Sequence, residues 1–382
     1  MDKVLLADGH ARQGLALAKA FHDLGCYVTA ICSSKLDVCA QSKYVDKAII
    51  DKSIGERPDL RVNCLLQEVA SNVYTLVVGF SDTSVEQIVL NKETIEKYCK
   101  TAVVDKDSFY LAYDKINTMR VCRDNGIPCP NTYFDFKTKE DVLRRDITFP
   151  LVIKPRMGYG AIGFHKAKSY TDLETYLDNH LEDIEHLVFQ EYIPQTSIQY
   201  ECSLFIDSKG VVKSAMVFEK NRWFPVHGGS STLNTSVKDD TIISNCSKLL
   251  KAINWQGCAD IDLIRDPRDN VAKIMEINPR ISGSGKIVLL SGINLALEML
   301  QAAKDEEITT YNDYITGIRL RCLYTDFLWF LQSKDRFRAK PSWFSMKHTY
   351  EQIFSFDDPK PFFAFSISSL LKLKKELKKR EG

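Results

Sequence analysis

A short apolar run, a glycine-bearing turn, a stretch of helical periodicity and a second apolar run follow one another within the first 32 residues. That order leaves little choice of architecture. Residues 3–7 read as a strand, 8–14 as the turn, 15–24 as a helix and 27–32 as the next strand. Strands joined through a helix lie parallel, because only a crossover of that length returns the chain to the same end of the sheet. The theme repeats in a strand at 76–79, a helical stretch at 83–99 and a strand at 102–104. Residues 1–112 are therefore expected to form one doubly wound, Rossmann-like α/β domain with helices on both faces. Its turn, Gly9-His-Ala-Arg-Gln-Gly14, has two glycines where a dinucleotide fingerprint has three, so no dinucleotide is expected there.

At 382 residues the chain is too long for one core, and 45% hydrophobic with 26% charged residues is ordinary for a globular protein. Lys and Arg number 51 against 50 Asp and Glu, so no overall field favours nucleic acid. No window approaches the roughly 18 apolar residues of a membrane span. The first residues run straight into an apolar strand without a basic, apolar and small-residue leader, which reads as a cytoplasmic protein. Eleven cysteines without a Cys-x-x-Cys pair read as reduced core thiols, and seven histidines without ligand spacing make zinc unexpected.

From residue 114 the texture changes. A helix ends at Asn125-Gly126, prolines punctuate positions 128, 130 and 150, and strands enriched in β-branched and aromatic residues follow at 151–154, 162–165, 187–192, 201–206 and 211–218. A helix at 240–253 separates these from strands at 259–264 and 271–277, and 286–303 reads as one long closing helix. This predicts an α+β domain over 113–308 and a C-terminal extension over 309–382. In the tail, residues 372–382 carry six Lys or Arg against two Glu, and Phe363, Ile367, Leu370 and Leu371 fall on one helical stripe. The stripe predicts docking on the protein; peripheral contact with an anionic membrane is the alternative.

The densest chemistry lies in Asp260-Ile-Asp262-Leu-Ile and Met275-Glu276-Ile-Asn278-Pro-Arg280. Alternate residues of a strand share a face, so pairing of the two segments would gather Asp262, Glu276 and Asn278 into a set of hard oxygen donors. Such donors suit magnesium, with manganese as the alternative, clamping a polyphosphate. Arg280, on the same face, supplies a fixed guanidinium for phosphate or oxyanion charge. A polar solvent face on two strands would give the same pattern. Upstream, Lys154 ends an apolar strand before Met157-Gly-Tyr-Gly-Ala-Ile-Gly163, where Gly158, Gly160 and Gly163 permit close approach of backbone amides to phosphate. A plain hairpin is the alternative there. Gln190-Glu191-Tyr192-Ile193-Pro194 ends another strand, with groups able to meet a purine and its ribose.

Taken in order, Asp114-Lys115, Lys154-Pro155, the glycine loop, Gln190 to Ile193, Asp260 to Ile264 and Glu276-Ile-Asn278-Pro-Arg280 resemble the ATP-grasp superfamily, in its branch similar to the carbamoyl-phosphate synthase large subunit and single-chain carboxylate–amine ligases. The resemblance covers roughly residues 1–305 and implies a pre-ATP-grasp domain followed by an ATP-grasp domain. It implies that Lys115 and Lys154 contact ATP phosphates beneath a lid at 157–163, that Glu191 and Ile193 hold the adenine, and that Glu201 reaches the ribose or groups near it. It implies metal ligation by Asp262, Glu276 and Asn278, and a role for Arg280 at the phosphate and the reaction intermediate. Arg222, His227, Gly229 and Ser230 fall where related ligases approach the acyl acceptor. Gly283 departs from the pattern, since carbamoyl-phosphate synthase has a further arginine there, and the chain holds one grasp module instead of two.

The implied activity is ATP-dependent joining of a small-molecule carboxylate to an amine or thiol through an acyl-phosphate, with Lys154 and Arg280 as catalytic groups. The C-terminal aromatic segment resembles extensions found in bacterial surface-polysaccharide pathways, and small-metabolite synthesis is the other setting. The resemblance leaves room for a homodimer. The rival readings are a carboxylase activating bicarbonate and a non-catalytic ATP-binding regulator.

Overall fold

The computed structural model describes residues 1–54, 57–158, 163–194, 198–226 and 229–381. Strands β1 (Lys3–Leu6), β2 (Tyr27–Cys32), β3 (Lys47–Ile50), β4 (Leu76–Val78) and β5 (Lys100–Thr101) form a parallel sheet in the order β3-β2-β1-β4-β5. Val4, Leu5 and Leu6 of the central strand have no exposure, as helices on both faces require. β3 is an edge strand whose residues alternate between half-buried and exposed, a faint signal that the sequence reading passed over. The helix expected over 83–99 is two helices, Asp82–Leu90 and Lys92–Ile95. Asn91 separates them, its side-chain amide donating to the Gln87 carbonyl and closing the first. The strand expected at 102–104 lies at 100–101 instead.

Two antiparallel-rich sheets follow. The smaller holds β6 (Thr132–Tyr133), β7 (Leu151–Pro155), β8 (His165–Ala167) and β9 (Leu187–Glu191) in the order β6-β9-β7-β8. The larger holds β10 (Gln199–Ile206), β11 (Val212–Phe224), β12 (Ser230–Val237), β13 (Gly257–Arg265), β14 (Ala272–Asn278), β15 (Arg319–Arg321) and β16 (Thr349–Glu351) in the order β14-β13-β10-β11-β12-β15-β16. β12 reads Ser-Ser-Thr-Leu-Asn-Thr-Ser-Val, too polar to announce a strand, yet Asn234 and Ser236 are buried and bonded. The long helix expected over 286–303 breaks into Lys286–Leu290 and Leu295–Ala303. Gly292 takes φ of +98°, and Asn294 caps the second helix by accepting from Leu297 N–H.

The C-terminal extension is built into the large sheet through β15 and β16. Beside them lies a hub around Asp326, which has no exposure, accepts both ends of the Arg222 fork at 2.8 and 3.1 Å and the Thr232 hydroxyl at 2.9 Å, and forms an ion pair with Arg321, whose Nε lies 2.6 Å away. The final helix, Lys360–Glu381, docks by a different face from the one expected. Ala364 is buried and Phe362 and Phe365 pack on the core that includes Val38 and Cys39, whereas Phe363, Ile367, Leu370 and Leu371 are each more than half exposed. Among the described residues no helix is long and apolar enough to cross a membrane.

Candidate active site

The register of the large sheet decides what the acidic residues do. Asp262 of β13 stands opposite Glu276 of β14 on one side and opposite Glu201 of β10 on the other, while Asp260 stands opposite Asn278. All five therefore share one face of the sheet. Lysines answer them. Lys220 of β11 bridges Asp262 Oδ1 at 2.6 Å and Glu201 Oε2 at 3.0 Å. Lys115 opens the helix Lys115–Asp124 and reaches Glu276 Oε2 at 3.3 Å while donating to the Gly158 carbonyl at 2.8 Å. Its own amide donates to the Arg156 carbonyl, and Asp114 binds Arg156 Nε at 2.5 Å, so the helix start is fastened to the end of β7.

Lys154 of β7 comes from the opposing small sheet. A cleft of about 360 Å³ separates the sheets, lined by Val152, Lys154 and Phe164 on one side and by Glu201, Lys220, Asp262, Glu276, Asn278 and Arg280 on the other. The apolar Val152, Ile193, Ile264 and Met275 line it as well, beside the strand end at Gln190 to Ile193. The cleft thus carries apolar as well as charged lining, the combination that a nucleotide takes.

Burial and neighbouring charge set the protonation. Burial lowers Lys154 to about 8 against the attraction of Glu276, with Lys115 adding repulsion. Burial raises Asp262 to about 7 in spite of Lys220, and Glu201 and Glu276 push the same way. For Glu276 burial is outweighed by Lys115 and Lys154, and its carboxyl is held below the usual value. Lys220 rises above the ordinary lysine range because Asp262 and Glu201 overcome its burial. Glu201 and Asp260 are both raised by burial. Arg280 is held by both oxygens of Asp82, at 2.6 and 3.3 Å, at the start of the helix Asp82–Leu90. The first domain thus fixes a guanidinium at the end of the cleft.

Several expected residues stand elsewhere. Arg222 does not line the cleft: the register shift between Lys220 and Arg222 inserts Asn221 as an extra residue, which turns Arg222 to the opposite face and into the Asp326 hub. Glu201 is 3% exposed and paired to Lys220 on the floor of the cleft, and Gln199, two residues earlier on the same face, lines the cleft beside it. The Glu191 carboxylate accepts from Asn131 N–H and Arg268, and Glu191, Tyr192 and Ile193 line the cleft. Gly158, Gly229 and Ser230 line it. Gly160 and His227 lie outside the described residues. The sequence reading missed Lys220 and Arg12, whose placement comes from strand register and domain packing.

Two carboxylates and an amide are the hard oxygen donors that magnesium or manganese takes when phosphate and water complete the shell. Among the described residues no three or more His, Cys, Asp or Glu side chains gather as a self-sufficient metal cage. Asp262, Glu276 and Asn278 fit an ion that arrives with phosphate, and the buried oxygens Glu201 Oε1 and Asp260 Oδ1 lack hydrogen-bond partners beside them.

The family model for the ATP-grasp domain matches residues 112–284. D-aspartate ligase of Enterococcus faecium (strain Aus0004) is 24% identical over 241 residues, 58% of this chain and 56% of that protein. The chain spans little more than half the length of the curated relatives it matches. Among solved structures, the biotin carboxylase domain of Hydrogenobacter thermophilus 2-oxoglutarate carboxylase, in complex with MgADP and bicarbonate, superposes with a TM-score of 0.69 at 17% identity, covering 83% of this chain and 73% of that one. L-amino acid ligase of Bacillus licheniformis gives 0.61 at 17% identity, covering 80% and 74%. With the motif order and the domain match in agreement, residues 112–284 form an ATP-grasp domain, set in a fold shared with these structures.

Proposed function

We propose that the protein is an ATP- and magnesium-dependent carboxylate–amine ligase that works through an acyl-phosphate. The observation that carries this reading is the facing of Asp262, Glu276 and Asn278 on one sheet by Lys115 and Lys154 across a cleft that also carries apolar lining. A nucleotide triphosphate needs those three features together: an apolar slot for its base, lysines for its phosphates and oxygen donors for its metal.

In this reading Glu191 and Ile193 hold the adenine, Gln199 and Glu201 stand on the face that meets the ribose or groups near it, and Lys115 and Lys154 neutralise the phosphates. A bound magnesium ion, held by Asp262, Glu276 and Asn278, supplies charge neutralisation at the phosphate oxygens. Residues of the cleft hold the carboxylate in line with the terminal phosphorus; the new O–P bond forms as the bond to ADP breaks. The amine then attacks the acyl carbon, and Arg280, pre-aligned by Asp82, stabilises the oxyanion before phosphate leaves. Gly229 and Ser230 flank the acceptor end. No enzyme nucleophile is needed.

An ADP-release screen over amino acids, hydroxy acids and uronic acids, each with and without candidate amines, tests the reading. Turnover that requires both an acid and an amine is expected, and ATP binding without turnover on any pair would leave a regulator instead.

Lys154 gives a second test. Phosphate beside a lysine poised at about 8 favours its protonated form, so binding of a non-hydrolysable ATP analogue should take up a proton above pH 8 and weaken as pH rises further. Calorimetry in buffers of different ionisation enthalpy reads the uptake. Lys154→Ala should abolish it and weaken binding about tenfold or more, the size of one charge-assisted hydrogen bond. Unchanged affinity and uptake would remove Lys154 from the nucleotide site.

A further inference from the structure

We propose that Arg12 binds a non-reacting carboxylate of the acyl acceptor, which makes the acceptor an amino acid, and that Gln352 of the C-terminal extension positions it. This inference rests on the ligase reading above and adds a residue from outside the ATP-grasp domain. Arg12 opens the helix Arg12–Asp23 and lines the cleft beside Ser231, Gly283 and Ser284. Following the chain off β14 from Glu276 and Asn278 through Arg280 leads to Gly283 and this corner.

Charge is the first argument. Arg61, Arg222, Arg280 and Arg321 each lie against an aspartate, at 3.1, 2.8, 2.6 and 2.6 Å. Arg12 is half-buried, and among the described residues it has no carboxylate within ion-pair distance. Its Nη1 donates only to neutral groups, Gln352 Oε1 at 2.9 Å and Cys322 Sγ at 3.2 Å. A partly desolvated cation without a counter-charge is costly, and a ligand anion would complete it.

Space is the second. A Cβ at Gly283 would stand 3.2 Å from Arg12 Nη2, so the bare glycine leaves room for the guanidinium. The position at which the carbamoyl-phosphate synthase pattern has an arginine is thus vacant of side chain here, and an arginine from the first domain stands over it.

Rigidity is the third. Gln352 is 4% exposed; its oxygen accepts from Arg12 and its nitrogen donates to the Gly283 carbonyl, clipping the guanidinium to the segment that follows β14. Ser231 and Ser284 bring their hydroxyls within 3.4 Å of each other beside it, and Asn234 holds Ser284 at 2.9 Å. A guanidinium edge and two hydroxyls make a carboxylate cradle.

The test uses the full chain with ATP and magnesium, and a panel of free amino acids set against their amides as acceptors. Wild type should prefer the free acids by about ten- to a hundredfold in kcat/KM, the worth of a charge-assisted contact. Arg12→Lys and Arg12→Gln should erase that preference by raising KM for the acceptor, with KM for ATP unchanged. Gln352→Glu would place an internal carboxylate on Arg12 and should raise the same KM without lowering the melting temperature enough to unfold the chain. Retained preference in both Arg12 variants, equal use of amides by wild type, or turnover with other acids and amines but no amino acid would each overturn the inference and leave the ligase reading standing. Absence of ATP turnover with every acid would instead overturn that reading and the inference with it.

Discussion

Glu276→Gln should lower magnesium-dependent turnover on the order of a hundredfold or more while leaving the fold intact. The substitution keeps the shape and removes one negative charge from the group that Lys115 meets at 3.3 Å, opposite Asp262 on the next strand. Oxygen donors held beside a transferring phosphoryl act on charge that develops in the transition state, so their loss falls on kcat more than on KM. Steady-state kinetics across a magnesium titration, with the melting temperature as a control, decides it. The fold should tolerate the change, because Glu276 sits with its side chain 29% exposed in the cleft. Near-normal turnover at saturating magnesium would remove Glu276 from the metal site.

Asp326→Ala should have the largest effect on stability, about 3–5 kcal/mol, the usual cost of leaving a buried ion pair half made. Asp326 has no exposure and neutralises two guanidiniums at once, Arg222 at 2.8 Å and Arg321 at 2.6 Å. Arg222 lies over the Trp329 ring at 4.9 Å and Arg321 over Trp343 at 4.3 Å, contacts that remain in the variant but cannot supply a full counter-charge. Asp326→Asn should be milder, since the amide oxygen still accepts one donor. Denaturant unfolding followed by tryptophan fluorescence would read the loss at these two rings. A shift below about 1 kcal/mol would show that water reaches the hub and screens it.

Much of the site could be read from the chain because strands expose it to arithmetic. Asp260 and Asp262, or Glu276 and Asn278, are two apart and so share a face wherever their strands pair. The pairing found, Asp262 with Glu276, is the one that the metal reading required. Arg222 shows where the arithmetic stops. It is two residues from Lys220 and should share its face, but a bulge at Asn221 reverses it, and no property of Asn221 alone announces that bulge. Lys220 was missed for the complementary reason: one lysine in a strand carries no signal until Glu201 and Asp262 are placed on its neighbours. Arg12 and Gln352 are 340 residues apart and meet only through the packing of the first domain against the C-terminal extension.

The fold followed the same division. Strands with apolar residues on both faces, such as β1 and β2, stood out, whereas the short edge strand β3 and polar β12 did not; in β12, hydrogen bonds from Asn234 to Ser284 and from Ser236 to the Ile315 carbonyl take the place of apolar burial. Helix breaks at Asn91 and Gly292 were hidden inside apolar periodicity that continues across them. The tail helix docks through Phe362 and Phe365, since the direction in which the preceding segment delivers the chain sets the rotation of the helix. Asp358 fixes that delivery by accepting from Ser42 at 2.6 Å, and Asp357 accepts from Tyr44.

The chemical claim comes down to the acyl-phosphate, and hydroxylamine tests it most directly. With ATP, magnesium and an acid that supports ADP release, hydroxylamine in place of the amine should yield the corresponding hydroxamate in proportion to ADP, and Glu276→Gln should lower both together. Bicarbonate-dependent ADP formation with no hydroxamate from any carboxylic acid would contradict the account and place this cleft among the carboxylases.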